Sequence, residues 1–85
     1  MYEDNIRSFC KAMLFKLDQN RHKNGWSGCK MWWLRRRLQQ EVGELERAIK
    51  AKASPDTILG EAADVANFCM MIAENYAKQR TPFGR

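Results

Sequence analysis

The hydrophobic positions along the chain recur at helical spacing from the first residues. Between about Glu3 and Asn20, apolar side chains three and four positions apart form one stripe, which is typical of an amphipathic helix. The members of this stripe are Ile6, Phe9, Cys10, Met13, Leu14 and Leu17. Residues 20–28 have two glycines and no apolar period, so they predict a loop after this helix.

The same periodicity predicts a second helix from about Met31 to Lys52. Its buried face is predicted to comprise Leu34, Leu38, Val42, Leu45 and Ile49. Ser54 and Pro55 then form a strong start signal for a third helix, with Ser54 as the N-cap and Pro55 in the first turn. We expect this helix to end near Lys78, followed by a short tail over residues 81–85.

The third helix is apolar on two opposite sides. One side carries Ile58, Val65, Phe68, Ile72 and Tyr76, and the other carries Leu59, Ala62, Ala66, Ala73 and Ala77. Such a helix is normally buried on both sides, and two other helices are too few to cover it. The sequence therefore predicts an all-α fold in which the three-helix chain forms helical bundles by oligomerisation, as a dimer or as a tetramer of two dimers.

Composition and charge narrow the class of protein. The 85 residues fit one domain, and no apolar run approaches the ~20 residues that span a bilayer. The polar, acidic start is unlike a secretion signal, and three cysteines without a close pair predict free thiols, so we expect a cytoplasmic protein without a membrane partner. The net charge of +5 fits either a nucleic-acid surface or attraction of a small polyanionic substrate.

Four acidic residues occupy unexpected positions. On a helical wheel, Glu41 lies in the middle of the apolar stripe of the second helix, and Glu44 lies at its margin. Glu61 and Asp64 share a face with large apolar residues of the third helix. Carboxylates are almost never fully buried unless they are paired or bind a metal ion. These four residues are therefore candidate metal ligands.

The spacing within each acidic pair favours the same interpretation. Residues at positions i and i+3 lie side by side on a helix, so two packed helices would bring four carboxylates into one pocket. Hard oxygen ligands in that number suit Mg²⁺ or Mn²⁺ better than zinc. The alternative is that they are exposed charges paired with Arg37, Arg47 or Lys50. Gly43 and Gly60, which each cost a helix roughly 1 kcal/mol relative to Ala, predict close approach of a ligand or another helix.

The segments Glu41-Val-Gly-Glu44-Leu and Glu61-Ala-Ala-Asp64-Val-Ala-Asn67-Phe68 resemble the ExxE…ExxD signature of the MazG-like all-α nucleoside triphosphate pyrophosphatases. The resemblance implies hydrolysis of an NTP or dNTP to the monophosphate and pyrophosphate, with Mg²⁺ held by the four acidic residues. Gln40 departs from this family, which often has a further Glu there. Glu41 and Glu44 are the catalytic candidates, because a carboxylate not fully used as a ligand can accept the proton of the attacking water.

Candidate substrate-binding residues lie near these pairs or in the predicted loop. They are Trp26, His22, Lys23, Arg37, Asn67 and Lys78. Trp26 is expected either to stack on the base or to close the loop as a hydrophobic plug. Arg37 fits either a phosphate contact or an ion pair with Glu41, and Lys78 fits either substrate binding or an ordinary helix-end cation. His22 is either a substrate contact or an incidental surface residue.

Two other functions remain open at this point. A phosphoribosyl-ATP pyrophosphatase is the nearest alternative within the same chemistry. A non-enzymatic basic helical oligomer that binds nucleic acid is the second alternative, because Arg35, Arg36 and Arg37 follow one another and the chain is basic. A nucleic-acid surface has no use for four carboxylates on apolar helix faces, so the enzyme is the main prediction.

Overall fold

The computed structural model describes residues 1–20 and 25–80. Within these residues the chain forms three helices and no strand: α1 (Glu3–Asn20), α2 (Met31–Lys50) and α3 (Pro55–Arg80). The all-helical prediction is confirmed. No helix in the described ranges is long and apolar enough to cross a membrane. The predicted tail over 81–85 and the candidates His22 and Lys23 lie outside the described residues.

The turn between α2 and α3 is defined by local hydrogen bonds. Lys52 adopts a positive φ of 56°, and its N–H donates to the carbonyl of Ile49 while the N–H of Ala53 donates to that of Ala48. This is a Schellman motif, which normally has Gly at the left-handed position. Because Lys stands there instead, the sequence lacked the usual stop signal, and the prediction extended α2 two residues too far.

The start of α3 follows the prediction. The hydroxyl of Ser54 accepts a hydrogen bond from the N–H of Thr57 at 3.2 Å, and Pro55 is the first helical residue. Pro at this position needs no N–H partner, and the serine cap satisfies one of the amides that the first turn leaves unpaired. The N-cap prediction is therefore confirmed.

Both α1 and α2 pack against α3, and in the described part of the chain their backbones do not approach each other closely. The centre of the core is formed by Leu34 from α2 with Phe68 and Met71 from α3. Trp33 adds an edge-to-face contact with Phe68, with ring centroids 6.4 Å apart. Helix α3 is thus the central element, and any site between the helices must include it.

Several apolar positions of the predicted faces are not buried. They are Ile6, Cys10 and Leu14 on α1, Val42 and Ile49 on α2, and Tyr76 on α3. Within one chain, the predicted buried face of α2 is therefore wrong at Val42 and Ile49, because among the described residues α2 packs on α3 alone. Cover of α3 by a neighbouring subunit stays a prediction. Parts of the second apolar side of α3 are also exposed, including Leu59 and Ala73.

Candidate metal and substrate site

Three of the four predicted metal ligands meet between α2 and α3. One carboxylate oxygen each of Glu41, Glu61 and Asp64 lies within 4.8 Å of the other two. Glu41 is buried, with 5% of its surface exposed, while Glu61 and Asp64 are half-buried. The acidic cluster, as we call these three residues, is compact enough for its oxygens to share one cation.

Glu44 does not belong to the acidic cluster, although it lies beside it. Together with Glu41 and Asp64 it lines a cavity of about 480 Å³. The other residues that line this first cavity are Leu17, Trp33, Arg37, Asn67, Phe68 and Met71. A cavity therefore lies between the packed helices and is lined by three of the four predicted carboxylates, Glu41, Glu44 and Asp64, while Glu61 is part of the acidic cluster but does not line it.

Arg37 is the cation closest to Glu41. Its Nη2 donates to Oε2 of Glu41 at 2.9 Å, so the structure shows the ion-pair alternative, and the guanidinium also lines the first cavity. Nη1 donates to the amide oxygen of Gln40, and the guanidinium carbon lies 5.0 Å from the centroid of the Phe68 ring. Two acceptors and one aromatic face thus hold Arg37 in place.

Lys16 is a site residue that the sequence prediction did not include. Its Nζ lies 3.5 Å from Oδ2 of Asp64, and both side chains are largely buried. Lys16 adjoins Leu17 of the apolar stripe on α1. Which carboxylate it approaches depends on how α1 packs on α3, and helical periodicity does not give that information.

Burial disfavours the charged forms of Glu41 and Asp64. Loss of water raises the pKa of Glu41, and the neighbouring charge of Glu44 raises it further, while Arg37 offsets part of the increase. Burial also raises the pKa of Asp64, with Lys16 as the main opposing influence. Arg37 and Lys16 therefore do not fully offset the effects of burial and repulsion on the pKa values of Glu41 and Asp64.

Asn67 adds a neutral oxygen to the same region. The side chain is 3% exposed and lines the first cavity. Its Nδ2 donates to the carbonyl oxygen of Met13 at 3.0 Å, which fixes the orientation of the amide because the reverse would place two acceptors together. Its Oδ1 is buried without a hydrogen-bond partner among the described residues, so the site retains an unused acceptor.

Trp26 lies away from the first cavity. Its partly buried ring packs against the core, and its Nε1 donates to Oε1 of Glu74 at 2.9 Å. Nδ2 of Asn75 donates to the carbonyl oxygens of Trp26 and Cys29, at 2.8 and 3.2 Å. This group, which we call the loop clamp (Trp26, Glu74 and Asn75), corresponds to the hydrophobic-plug alternative, and nothing in its geometry presents the ring to a base.

The remaining predicted features are not part of the first cavity. Lys78 is exposed in the last turn of α3 and does not line it. The predicted close approach at the two glycines is wrong for contacts between helices of one chain. A Cβ on Gly43 would lie 3.4 Å from the flexible end of Arg47, and one on Gly60 would lie 3.8 Å from Lys16, so both would fit.

Comparison of the chain with models of protein families, with curated proteins and with solved structures finds no match. Function is therefore inferred from the residues of the site and their chemistry.

Proposed function

We propose that the protein is a Mg²⁺-dependent nucleoside triphosphate pyrophosphohydrolase, which converts an NTP or dNTP to the monophosphate and pyrophosphate. The observation that carries this proposal is the acidic cluster, in which carboxylates from two helices lie within 4.8 Å of one another at the edge of a cavity. The resemblance of the two acidic segments to the MazG-like signature supports the same reaction.

The donor set suits a hard divalent cation. Glu41, Glu61 and Asp64 would hold it, and Asn67, whose side-chain oxygen has no hydrogen-bond partner among the described residues, lines the first cavity together with Glu41 and Asp64. Carboxylate and amide oxygens are ligands that Mg²⁺ and Mn²⁺ accept, whereas structural zinc sites favour Cys and His. A cation would also offset the burial and the repulsion that raise the pKa values of Glu41 and Asp64.

The side chains around the cluster can perform the remaining tasks of the hydrolysis. When bound, Mg²⁺ supplies charge neutralisation of the phosphates and polarisation of the attacked phosphorus. Arg37 beside Glu41 and Lys16 beside Asp64 contribute positive charge, which favours binding of the phosphate chain. Glu44 lies outside the acidic cluster and is the carboxylate best placed to accept a proton from the attacking water. The water oxygen then bonds to phosphorus and one P–O bond of the α–β bridge breaks.

A second copy of the chain belongs to this proposal. Among the described residues, the buried apolar core is only Leu34, Ala63, Phe68 and Met71. A chain of this size buries a smaller fraction of its surface on folding than larger domains do, and large apolar side chains remain exposed on all three helices. We expect a dimer or a tetramer of two dimers. Light scattering that gives a stable 10.0 kDa monomer at micromolar concentration would contradict this.

One experiment tests the reaction directly. The purified protein is incubated with Mg²⁺ and a panel of NTPs, dNTPs and phosphoribosyl-ATP, and the phosphorus products are identified by ³¹P NMR. Pyrophosphate is the expected product, activity should be lost in EDTA, and Mg²⁺ or Mn²⁺ should restore it. Release of orthophosphate would mean a different reaction class. Turnover of phosphoribosyl-ATP alone would favour the alternative pyrophosphatase.

A further inference from the structure

A second cavity, of about 640 Å³, lies between α1 and α3. Its wall combines apolar and charged side chains, including Lys11, Phe15, Lys16, Leu59 and Glu61. Phe15 is 60% exposed, although it is a large aromatic residue. The chemistry of the acidic cluster alone does not account for this cavity or for the exposed ring.

The two cavities meet at the acidic cluster. Glu61 lines the second cavity, and one of its carboxylate oxygens lies within 4.8 Å of oxygens from Glu41 and Asp64, which line the first. Lys16 makes the same connection, because it lines the second cavity and its ammonium lies 3.5 Å from Asp64. A ligand with phosphates at the cluster can therefore extend along α1 into the second cavity.

The charges of the second cavity suit an uncharged ring system more than additional phosphate. Lys11 and Lys16 are balanced by Asp56 and Glu61 in the same wall. The exposed face of Phe15 offers a stacking surface, and every nucleobase has a π-face of its own. Trp26, for which stacking on the base and closing the loop were the two alternatives, is held in the loop clamp.

Gly60 keeps part of this wall open. A glycine inside a helix reduces helix stability relative to alanine. A Cβ at this position would meet only Lys16, at 3.8 Å, so packing within the chain does not require a glycine. Its position in the wall of the second cavity is consistent with space kept for a ligand.

We propose that the second cavity is the nucleoside subsite of the proposed pyrophosphohydrolase and that Phe15 stacks on the base. This inference rests on the proposed function. The subsite accepts the base and sugar of the nucleotide while the triphosphate lies at the acidic cluster. Because stacking tolerates different bases, Phe15 contributes affinity for purine and pyrimidine nucleotides alike.

The experiment compares ligands with and without a base. Dissociation constants of ATP, dCTP and inorganic tripolyphosphate are measured by calorimetry, with Ca²⁺ replacing Mg²⁺ to suppress turnover. Phe15→Ala should weaken ATP and dCTP by about 5–150-fold, the usual range for loss of one base–aromatic stack, and change tripolyphosphate less than twofold. Phe15→Leu should behave like Phe15→Ala because it lacks a π-face, and Phe15→Trp should retain wild-type affinity.

Leu14→Ala is the matched control, because Leu14 is equally exposed on α1 but does not line the second cavity. Unchanged nucleotide affinity in Phe15→Ala, with hydrolysis intact, would overturn the subsite and leave the proposed function standing. An equal loss for nucleotides and tripolyphosphate would also overturn it, as would a change in oligomeric state, which would show that a second copy covers the ring. Failure of the wild-type protein to bind or hydrolyse any nucleotide would overturn both proposals.

Discussion

Helix α3 contributes polar side chains to two regions, the loop clamp and the acidic cluster, and their surroundings differ. In the loop clamp, the amide of Asn75 donates to two backbone carbonyls, and Glu74 accepts from the indole of Trp26. In the acidic cluster, three carboxylates lie close together and the pKa values of two of them are raised by burial. Among the described residues, the loop clamp has one exposed carboxylate that accepts a hydrogen bond, whereas the acidic cluster brings three carboxylates together.

This difference separates a structural role from a ligand-binding role. Asn67 and Asn75 each leave a buried carbonyl oxygen without a partner among the described residues, so an unused acceptor does not distinguish the regions. The grouping of negative charges does distinguish the two regions, because repulsion between buried carboxylates destabilises the folded chain unless something compensates for it. We infer that the loop clamp serves the fold and the acidic cluster serves a cation.

The largest expected effect is on catalysis at the acidic cluster. Glu41→Gln, Glu61→Gln and Asp64→Asn should each reduce kcat/KM by at least about 100-fold, because each removes a charge used for binding and activation. Circular dichroism should show unchanged helix content. Glu46→Gln, an exposed change on the same helix as Glu41, is the control and should retain activity. Full activity in two of the three cluster variants would refute the assignment.

Glu44→Gln tests whether the carboxylate in the wall of the first cavity accepts a proton or binds the metal ion. If Glu44 accepts the proton, this change should lower kcat by roughly 100-fold or more and leave Mg²⁺ affinity within about threefold. Mg²⁺ affinity is measured by calorimetry on the variant and on wild type. A large loss of Mg²⁺ affinity would instead make Glu44 a fourth ligand, as the sequence predicted.

At the loop clamp the expected effect is on stability. Asn75→Ala and Trp26→Ala should each lower the free energy of unfolding by roughly 2–3 kcal/mol, through lost hydrogen bonds or lost packing. The Tm should fall by about 4–8 °C for each kcal/mol, and KM of the folded fraction should not change. Trp26→Phe keeps a ring and should cost less. A 5–150-fold higher KM for Trp26→Ala at constant Tm would show that Trp26 stacks on the base after all.

A smaller effect is expected from pH in metal-free protein. The pKa values of Glu41 and Asp64 are raised in the folded state, so protonation of these groups favours folding. Their stabilising contribution is present at low pH and is lost as the pH rises through the folded-state pKa values. In EDTA, the denaturant concentration at the unfolding midpoint should therefore decrease less between pH 5 and 7 in Glu41→Gln than in wild type.

Saturating Mg²⁺ should stabilise wild type, by about 2.7 kcal/mol at a hundredfold excess over Kd, and this gain should be smaller in Glu41→Gln.

The smallest effect is expected at Lys78. Because it is exposed at the end of α3 and does not line either cavity, Lys78→Ala should change kcat/KM by less than about twofold. Steady-state kinetics with the best substrate of the panel measure this. A tenfold loss would place a phosphate or base contact at the C-terminal end of α3, in agreement with the substrate-binding alternative from the sequence.

The sequence was most informative where spacing along one helix was sufficient. Periodicity located the three helices, and Ser54 with Pro55 located the start of α3 within one residue. Helical spacing also placed Glu41 and Asp64 on apolar faces, where the structure finds them grouped. These features depend only on local geometry.

Features that depend on how helices rotate and pack were not predicted. Spacing alone did not distinguish Glu44 from the three grouped carboxylates, and it did not bring Lys16 to Asp64. The two alternatives for Trp26 also remained open, because a hydrogen bond to Glu74 joins positions 48 residues apart. Each of these outcomes depends on contacts between elements, which a single sequence does not specify.

The packing of α1 and α2 on a common α3 has a consequence for the order of folding. Residues 51–54 join α2 to α3, so contacts between these two helices form a hairpin and close only a short loop, at low entropic cost. Contacts of α1 with α3 must close a longer loop. All three carboxylates of the acidic cluster belong to this hairpin, and Lys16 arrives with α1. We therefore expect the folding transition state to contain the α2–α3 hairpin with its like charges already close, and α1 to dock afterwards. Ala48→Gly in α2 should then slow folding, while Ala12→Gly in α1 should mainly accelerate unfolding.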